Sequence, residues 1–319
     1  MLKPYSHWRF ALAISLLLTA CQKDSDLLTV GAKPAEVNTL AAFVAVHGAP
    51  RQLFTLAAAT DSFQLRTAQG NRLVIPANAF VLPSGARPNP EPISIEYREV
   101  LSRADMVLSA LPSTASEQLL EAGGEFYLKA RQGSNTLRLN PTAHVRLHFR
   151  NSRLSTFSNM AVFYGTTSKN VFSWLPQSSA DISSSVVQDS LPSQPRSYRL
   201  RLNNDSLGWV SCARLVDARQ QTTVSIAVSG DDVQSKNTMV FLVFKSLNTS
   251  VRAYSQSSDN IFSAPNIPEG LAVTAVVLRN VNGSYFFGQQ TLQVGTNQMF
   301  SPSISAVSEE AAVAAIRGL

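Results

Sequence analysis

Apolar and polar residues alternate one for one in several stretches of this chain, and that pattern constrains its fold more than any other feature. Ile93, Ile95 and Tyr97 alternate with Ser94, Glu96 and Arg98, and Phe126, Leu128 and Ala130 alternate with Glu125, Tyr127 and Lys129. Val145, Leu147 and Phe149 do the same against His144, Arg146 and His148. Successive side chains of an extended strand point to opposite faces, so a period of two buries one face and wets the other. Turn signals separate the runs: Gln69-Gly70-Asn71, Pro83-Ser84-Gly85 and Gln132-Gly133-Ser134. Short alternating runs broken by turns predict an antiparallel β-sandwich. Thr114-Ala115-Ser116-Glu117, followed by Leu119, Leu120 and Gly123, also fits a short capped helix, and that alternative stays open.

From Pro176 to Ser197 there are eight Ser and three Pro in twenty-two residues, with few large apolar side chains. Such a stretch buries little, and residues 177–196 read as a linker or long exposed loop. Strands resume at Tyr198 to Leu202, Thr222 to Val228, Met239 to Phe244 and Leu271 to Leu278. The last is apolar on both faces, as a central strand covered on two sides should be. Asn282-Gly283 is a strong hairpin signal, because this pair takes the positive φ angles of a type I′ turn. It gathers Tyr285, Phe286 and Phe287; alternation turns Phe286 away from its neighbours, which leaves Tyr285 and Phe287 as candidate contacts for a protein or glycan. Ser308-Glu309-Glu310 opens a predicted helix through Arg317, with acids at its start, a base at its end and Gly318 after it. The expected fold is all-β: two antiparallel β-sandwich domains in tandem, 51–176 and 197–304, with a short C-terminal helix in 305–319.

The chain begins with Lys3 and Arg9, about eleven mainly apolar residues from Phe10 to Ala20, and a small residue before Cys21. This is the layout of an export signal. It falls short of the roughly 20 apolar residues a membrane span needs. Leu18-Thr19-Ala20-Cys21 resembles the lipobox of bacterial lipoproteins in all four positions. That resemblance implies that 1–20 is a signal peptide and that Cys21 receives a diacylglyceryl thioether and becomes the mature N-terminus. It also implies two or three palmitate-like acyl chains, which hold stably where one holds marginally. The implied partner is thus a membrane, reached through the lipid anchor. Gln22 stands where an Asp favours inner-membrane retention in enterobacterial lipoproteins, so the outer membrane is expected. Gln22-Lys23-Asp24-Ser25-Asp26 resembles the export tag of surface-displayed Bacteroidota lipoproteins. Periplasmic or external orientation stays open. Residues 21–50, interrupted by Gly31, Pro34, Gly48 and Pro50, read as a tether.

Residues 70 to 149 carry a second resemblance. Gly70-Asn71-Arg72-Leu73-Val74-Ile75-Pro76-Ala77-Asn78-Ala79-Phe80, Ile93-Ser94-Ile95-Glu96-Tyr97 and Gly123-Gly124-Glu125-Phe126-Tyr127 are similar to the ZU5-type β-sandwich of Bacteroidota lipoproteins of unassigned activity. Leu207-Gly208-Trp209-Val210-Ser211-Cys212 is similar to a Gly-Trp-x-x-Cys stretch in those proteins, although Ala213 stands where an acid commonly follows. The resemblance implies a fold and a location, and supplies no catalytic residue. ZU5 domains elsewhere are protein-interaction modules, an analogy at the level of fold.

Charge and motif content narrow the function further. The formal charge is +6, and losing Lys3 and Arg9 with no acid leaves 6 − 2 = +4. Arg199 and Arg201 alternate with Leu200 and Leu202, as on a solvated sheet face, and no nucleic-acid partner is expected. With Cys21 lipidated, Cys212 is the remaining thiol and reads as a buried small apolar residue. Metalloprotease, phosphate-loop, nucleophile-elbow and calcium-loop motifs are missing, so no catalytic residue, cofactor or metal is expected. His144 and His148 fall on one strand face about 13 Å apart, too far to share a metal. Glu96 and Glu99 point to opposite faces and read as exposed strand acids beside Arg98. The expected function is non-catalytic binding of a protein or glycan at the envelope or cell surface. The alternatives are a hydrolase of envelope or extracellular polymers with its site assembled from distant residues, and a structural subunit of an envelope complex.

Overall fold

A computed structural model describes residues 39–57, 59–154, 158–168, 171–177, 185–191, 194–202, 207–255 and 260–319, with backbone alone at 189–191 and 194–196. The expected signal peptide, Cys21 and the tether as far as residue 38 lie outside the described residues. Strands predominate, as the alternation requires. Three helices accompany them among the described residues: α1 (Leu40–His47), α2 (Arg103–Leu108) and α3 (Glu309–Arg317).

The first sheet has eight strands. Gln52–Leu56, Ile93–Val100, Gln118–Gln132, Trp209–Leu215, Ala161–Ser168, Val171–Pro176 and Thr114–Ala115 follow one another in space, and Asn135–Thr136 pairs with Gln118–Gln132. A second sheet has five strands in the order Ser185–Leu191, Gln194–Leu202, Val145–Arg150, Arg72–Ile75 and Phe63–Arg66. The two sheets share a core. Ile93, Ile95, Tyr97, Phe126, Leu128 and Ala130 from the first meet Leu73, Ile75, Val145, Leu147, Phe149, Tyr198, Leu200 and Leu202 from the second. This arrangement fits a β-sandwich; the inward residues named here are all buried, and Phe54, Phe63, Leu65 and Val186 are partly buried against them.

Gly123-Gly124 in the long strand has a steric reason. Cys212 pairs with Gly124 and Ala213 with Ala122, so Gly123 is the extra residue of a β-bulge. A Cβ on Gly124 would stand 2.5 Å from the Phe126 ring. At Thr114 the chain makes no helix: Thr114–Ala115 turns back on Gln118–Gln132 through Ser116 and Glu117, with φ of 46° and 65°.

The expected boundary at 177–196 does not separate two sets of strands. Ser185–Leu191 falls inside that segment and pairs with Gln194–Leu202, which begins in it, and Gln194–Leu202 pairs in turn with Val145–Arg150. Trp209–Leu215, expected in the second domain, lies between Gln118–Gln132 and Ala161–Ser168 of the first sheet. A stretch rich in Ser and Pro takes these places because the sheet needs apolar residues at alternate positions only, and Val186, Tyr198 and Leu200 supply them.

Beyond residue 220 a third sheet of eight strands runs Met299–Phe300, Gln221–Ala227, Ile261–Pro268, Ser250–Ser255, Thr238–Phe244, Ala272–Val281, Ser284–Gln293 and Ile304–Val307. Thr238–Phe244 is buried throughout. Its Val240, Leu242 and Phe244 face a core with Val224, Ile226, Phe262 and Val273, while Met239, Phe241 and Val243 face the helices. Ala272–Val281 is central and covered on both faces, as its continuous apolar run predicts. Its hairpin with Ser284–Gln293 turns through Asn282 and Gly283 at φ of 52° and 86°. Helix α3 starts on the Ser308 cap and ends at Gly318, as read from sequence.

Helices α1 and α2 were not expected. The segment read as the end of the tether folds into α1, capped by Thr39, with Leu40 and Phe43 buried against the third sheet. Val107 and Leu108 of α2 enter the same cluster. The two β regions are also hydrogen-bonded to each other. Asn248 donates to the carbonyls of Leu101 and Ala122 at 3.1 and 2.7 Å, and the Ser113 amide donates to the Ser250 carbonyl at 2.8 Å. The described residues accordingly belong to one compact unit.

Candidate functional site

The exposed face of the five-stranded sheet gathers five arginines from four of its strands. Its inner face is apolar, so alternation turns Gln64 and Arg66, Arg72 and Val74, Arg146 and His148, Arg199 and Arg201, and Ser185 and Val187 to the outside. Strand register aligns them in two rows. One reads Arg66, Arg72, His148, Arg199 and Val187; the next reads Gln64, Val74, Arg146, Arg201 and Ser185. Arg66 thus stands directly opposite Arg72, and Arg146 opposite Arg201, although like charges facing across strands are destabilising. Asp189, paired with Ser197, is the sole acid in the sequence of these five strands.

Two depressions open on this surface and share Arg146. A cavity of about 460 Å³ is lined by Phe80, Arg87, Asn140, Thr142, His144 and Arg146 among others. A smaller one of about 230 Å³ is lined by Arg146, Ser185, Val187, Arg199 and Arg201. Among the described residues no carboxylate lines either cavity. His144 Nδ1 is buried and without a hydrogen-bond partner among the described residues. The two histidines of the sequence motif are both half-buried, and His148 stands in the arginine row while His144 lies in the larger cavity. Among the described residues no three His, Cys, Asp or Glu side chains gather where a metal would bind.

The two carboxylates of Ile93–Val100 do point to opposite faces, but Glu99 is not exposed. It is 1 % exposed and accepts hydrogen bonds from Asn71 Nδ2 (2.8 Å), Thr67 Oγ1 (3.0 Å), the Gln69 amide (3.1 Å), Gln52 Nε2 (3.3 Å) and the Tyr97 hydroxyl (3.3 Å). Burial and the neighbouring Glu99 charge push the Tyr97 phenol well above its usual range. This carboxylate fastens the Gln69-Gly70-Asn71 turn to the first sheet. Glu96 is paired with Arg98 at 3.1 Å and with Arg51 at 3.2 Å.

Glu125, a residue the sequence places on a polar strand face, is wholly buried where the two β regions meet. Ser113 Oγ donates to its Oε1 at 2.8 Å, and Oε2 has no partner among the described residues. Burial raises its carboxyl to about 8, against the opposing effect of the Ser113 hydrogen bond. Cys212 is a buried thiol in the core shared by the first two sheets, and burial pushes its ionisation upward.

The aromatic pair expected to contact a partner is withdrawn from solvent. Tyr285 and Phe287 are 5 % and 8 % exposed, packed in the helix-covered cluster with Phe43 of α1, whose ring centroid lies 5.5 Å from that of Tyr285. The turn read from Asn282-Gly283 is present; the cover over its aromatic face comes from α1, far earlier in the chain, together with Ala312, Val313 and Ile316 of α3. The arginine rows escaped the sequence reading for a related reason. Arg199 and Arg201 were legible as one face, but their alignment with Arg72 and Arg146 depends on which strands pair.

A scan against protein-family models gives no match, and no curated protein matches the chain.

Proposed function

We propose that this chain is a non-catalytic, lipid-anchored envelope protein that works by binding a protein or glycan, with the arginine-bearing sheet face as its contact surface. The single observation behind the surface is the register that sets Arg66 against Arg72 and Arg146 against Arg201. A local rule broken at a cost in stability is most often broken at a functional site. The anchor rests on the lipobox-like Leu18-Thr19-Ala20-Cys21, and the outer membrane on Gln22. In this reading the two β regions are tandem β-sandwiches, the first of them ZU5-like, held at the membrane by acyl chains on Cys21. No described helix is long and apolar enough to cross a membrane, and the acyl chains carry the attachment instead.

Growth of the host on labelled palmitate, followed by membrane fractionation, tests this. The wild type should carry label and sediment with membranes, and Cys21→Ser should be unlabelled and soluble. Surface crosslinking on intact cells should recover a partner, and an Arg146→Gln, Arg201→Gln variant should recover less of it. An unlabelled, soluble wild type removes the anchor from the proposal.

A further inference from the structure

We infer that the exposed face of the five-stranded sheet binds a linear anionic polysaccharide, one bearing carboxylate or sulfate groups along its length; this rests on the binding role proposed above and names its ligand.

Charge placement elsewhere in the protein shows what this face departs from. In the first sheet acids stand against bases: Glu96 pairs across strands with Lys129, and Glu121 with Arg214, whose guanidinium reaches the carboxylate at 2.5 and 2.9 Å. In the five-stranded sheet bases stand against bases. Arg66, Arg72, Arg146 and Arg201 are all exposed, so their side chains are within reach of a ligand. An anion laid over them would relieve the repulsion, and each guanidinium fork offers a carboxylate or sulfate paired hydrogen bonds.

Spacing favours an extended chain over a small anion. Neighbouring strands are about 4.8 Å apart and same-face residues along a strand about 6.8 Å apart, so the basic groups form a lattice rather than a point. The row from Arg66 to Arg199 crosses four strands, about 14 Å by the same spacing. Two cavities of about 460 and 230 Å³ that share Arg146 continue the surface, and no described carboxylate lines either.

Other polyanions fit less well. Single-stranded nucleic acid is usually held on aromatic stacking platforms as well as by charge, and the rows contain no Phe, Tyr or Trp, with His148 alone as a half-buried ring. Membrane-surface binding adds apolar side chains that enter the interface, and Val187 is the sole large hydrophobic side chain well exposed in the rows.

The test compares binding of the purified full-length protein to heparin, polygalacturonate, neutral dextran, polyglutamate, oligo-dT and anionic phospholipid vesicles by titration calorimetry. Three proteins are compared: wild type, the Arg146→Gln, Arg201→Gln variant, and a Lys236→Ala, Lys245→Ala variant that loses the same charge from exposed sites off this sheet. Heparin or polygalacturonate should bind the wild type, and binding should weaken as salt is raised from about 0.05 to 0.3 M. Losing two charge-assisted contacts should cost the arginine variant about tenfold or more in affinity, with Tm undiminished, and should leave the lysine variant unchanged. Three results would overturn the inference: equal or tighter binding of polyglutamate, oligo-dT or vesicles; no polysaccharide binding; or equal losses in both variants. If polysaccharide binding fails while crosslinking still recovers a partner through Arg146 and Arg201, the ligand named here is wrong and the binding role stands.

Discussion

Two buried carboxylates in this protein have opposite surroundings. Glu99 is held by five donors, whereas Glu125 has Ser113 alone and one oxygen without a partner among the described residues. Its carboxyl, raised to about 8, holds a proton in the folded state at pH values where the unfolded chain has lost it. Glu125's contribution to folding stability should then be fully present below about pH 4.5, fall as pH rises toward about 8 with a slope approaching 1.4 kcal/mol per unit, and level off above. Glu125→Gln keeps the shape and removes the proton equilibrium. We expect urea midpoints at pH 5 to 9 to decline for the wild type and to stay flatter for the variant, which gains most at pH 9. Parallel curves would mean that Glu125 does not titrate between the folded and unfolded states.

At the scale of elements, the strand Gln118–Gln132 illustrates how a local sequence encodes a local shape. Gly123 bulges where the pairing with Trp209–Leu215 slips by one residue, and Gly124 leaves room for the ring of Phe126. Gly124→Ala should force Phe126 or Leu101 to move and cost about 1–3 kcal/mol, read as a lower Tm. A variant as stable as wild type would show that the ring has room to shift. Alternation along each strand was legible in sequence, and so were the Asn282-Gly283 turn and the Ser308 cap, because each depends on residues within one turn or pleat. Glu99 and Tyr285 were not legible. Their strands were placed correctly, but the donors around Glu99 come largely from Gln52 and a separate turn, and the cover on Tyr285 comes from α1 together with α3.

At the scale of the molecule, α1 is a cover over the third sheet and not a stretch of tether. Phe43 is fully buried beside Tyr285, and His47 Nε2 lies 2.5 Å from Glu309 Oε1 of α3. Phe43→Ala removes the largest side chain that α1 buries and should cost about 3–5 kcal/mol. It should also loosen the cover, so we expect faster amide exchange in Tyr285–Phe287 and stronger dye binding to exposed apolar surface, with the exchange of Ile93–Val100 unchanged. Uniform loss of protection across both β regions would instead show that α1 and both regions open as one unit.

The sequence by itself determined that the chain is a β protein, which side of most strands faces inward, where the clearest hairpin turns and how the chain ends in a capped helix. Period two, positive-φ turn residues and helix caps act over a few residues, so their effect is written locally. Only the tertiary structure decided that Gln194–Leu202 and Trp209–Leu215 join sheets built largely from earlier strands, that Tyr285 and Phe287 are covered, and that arginines from separate strands line up in rows. Those outcomes depend on which strand edges find one another, a choice made by the shared core across long loops and not by any short run of residues.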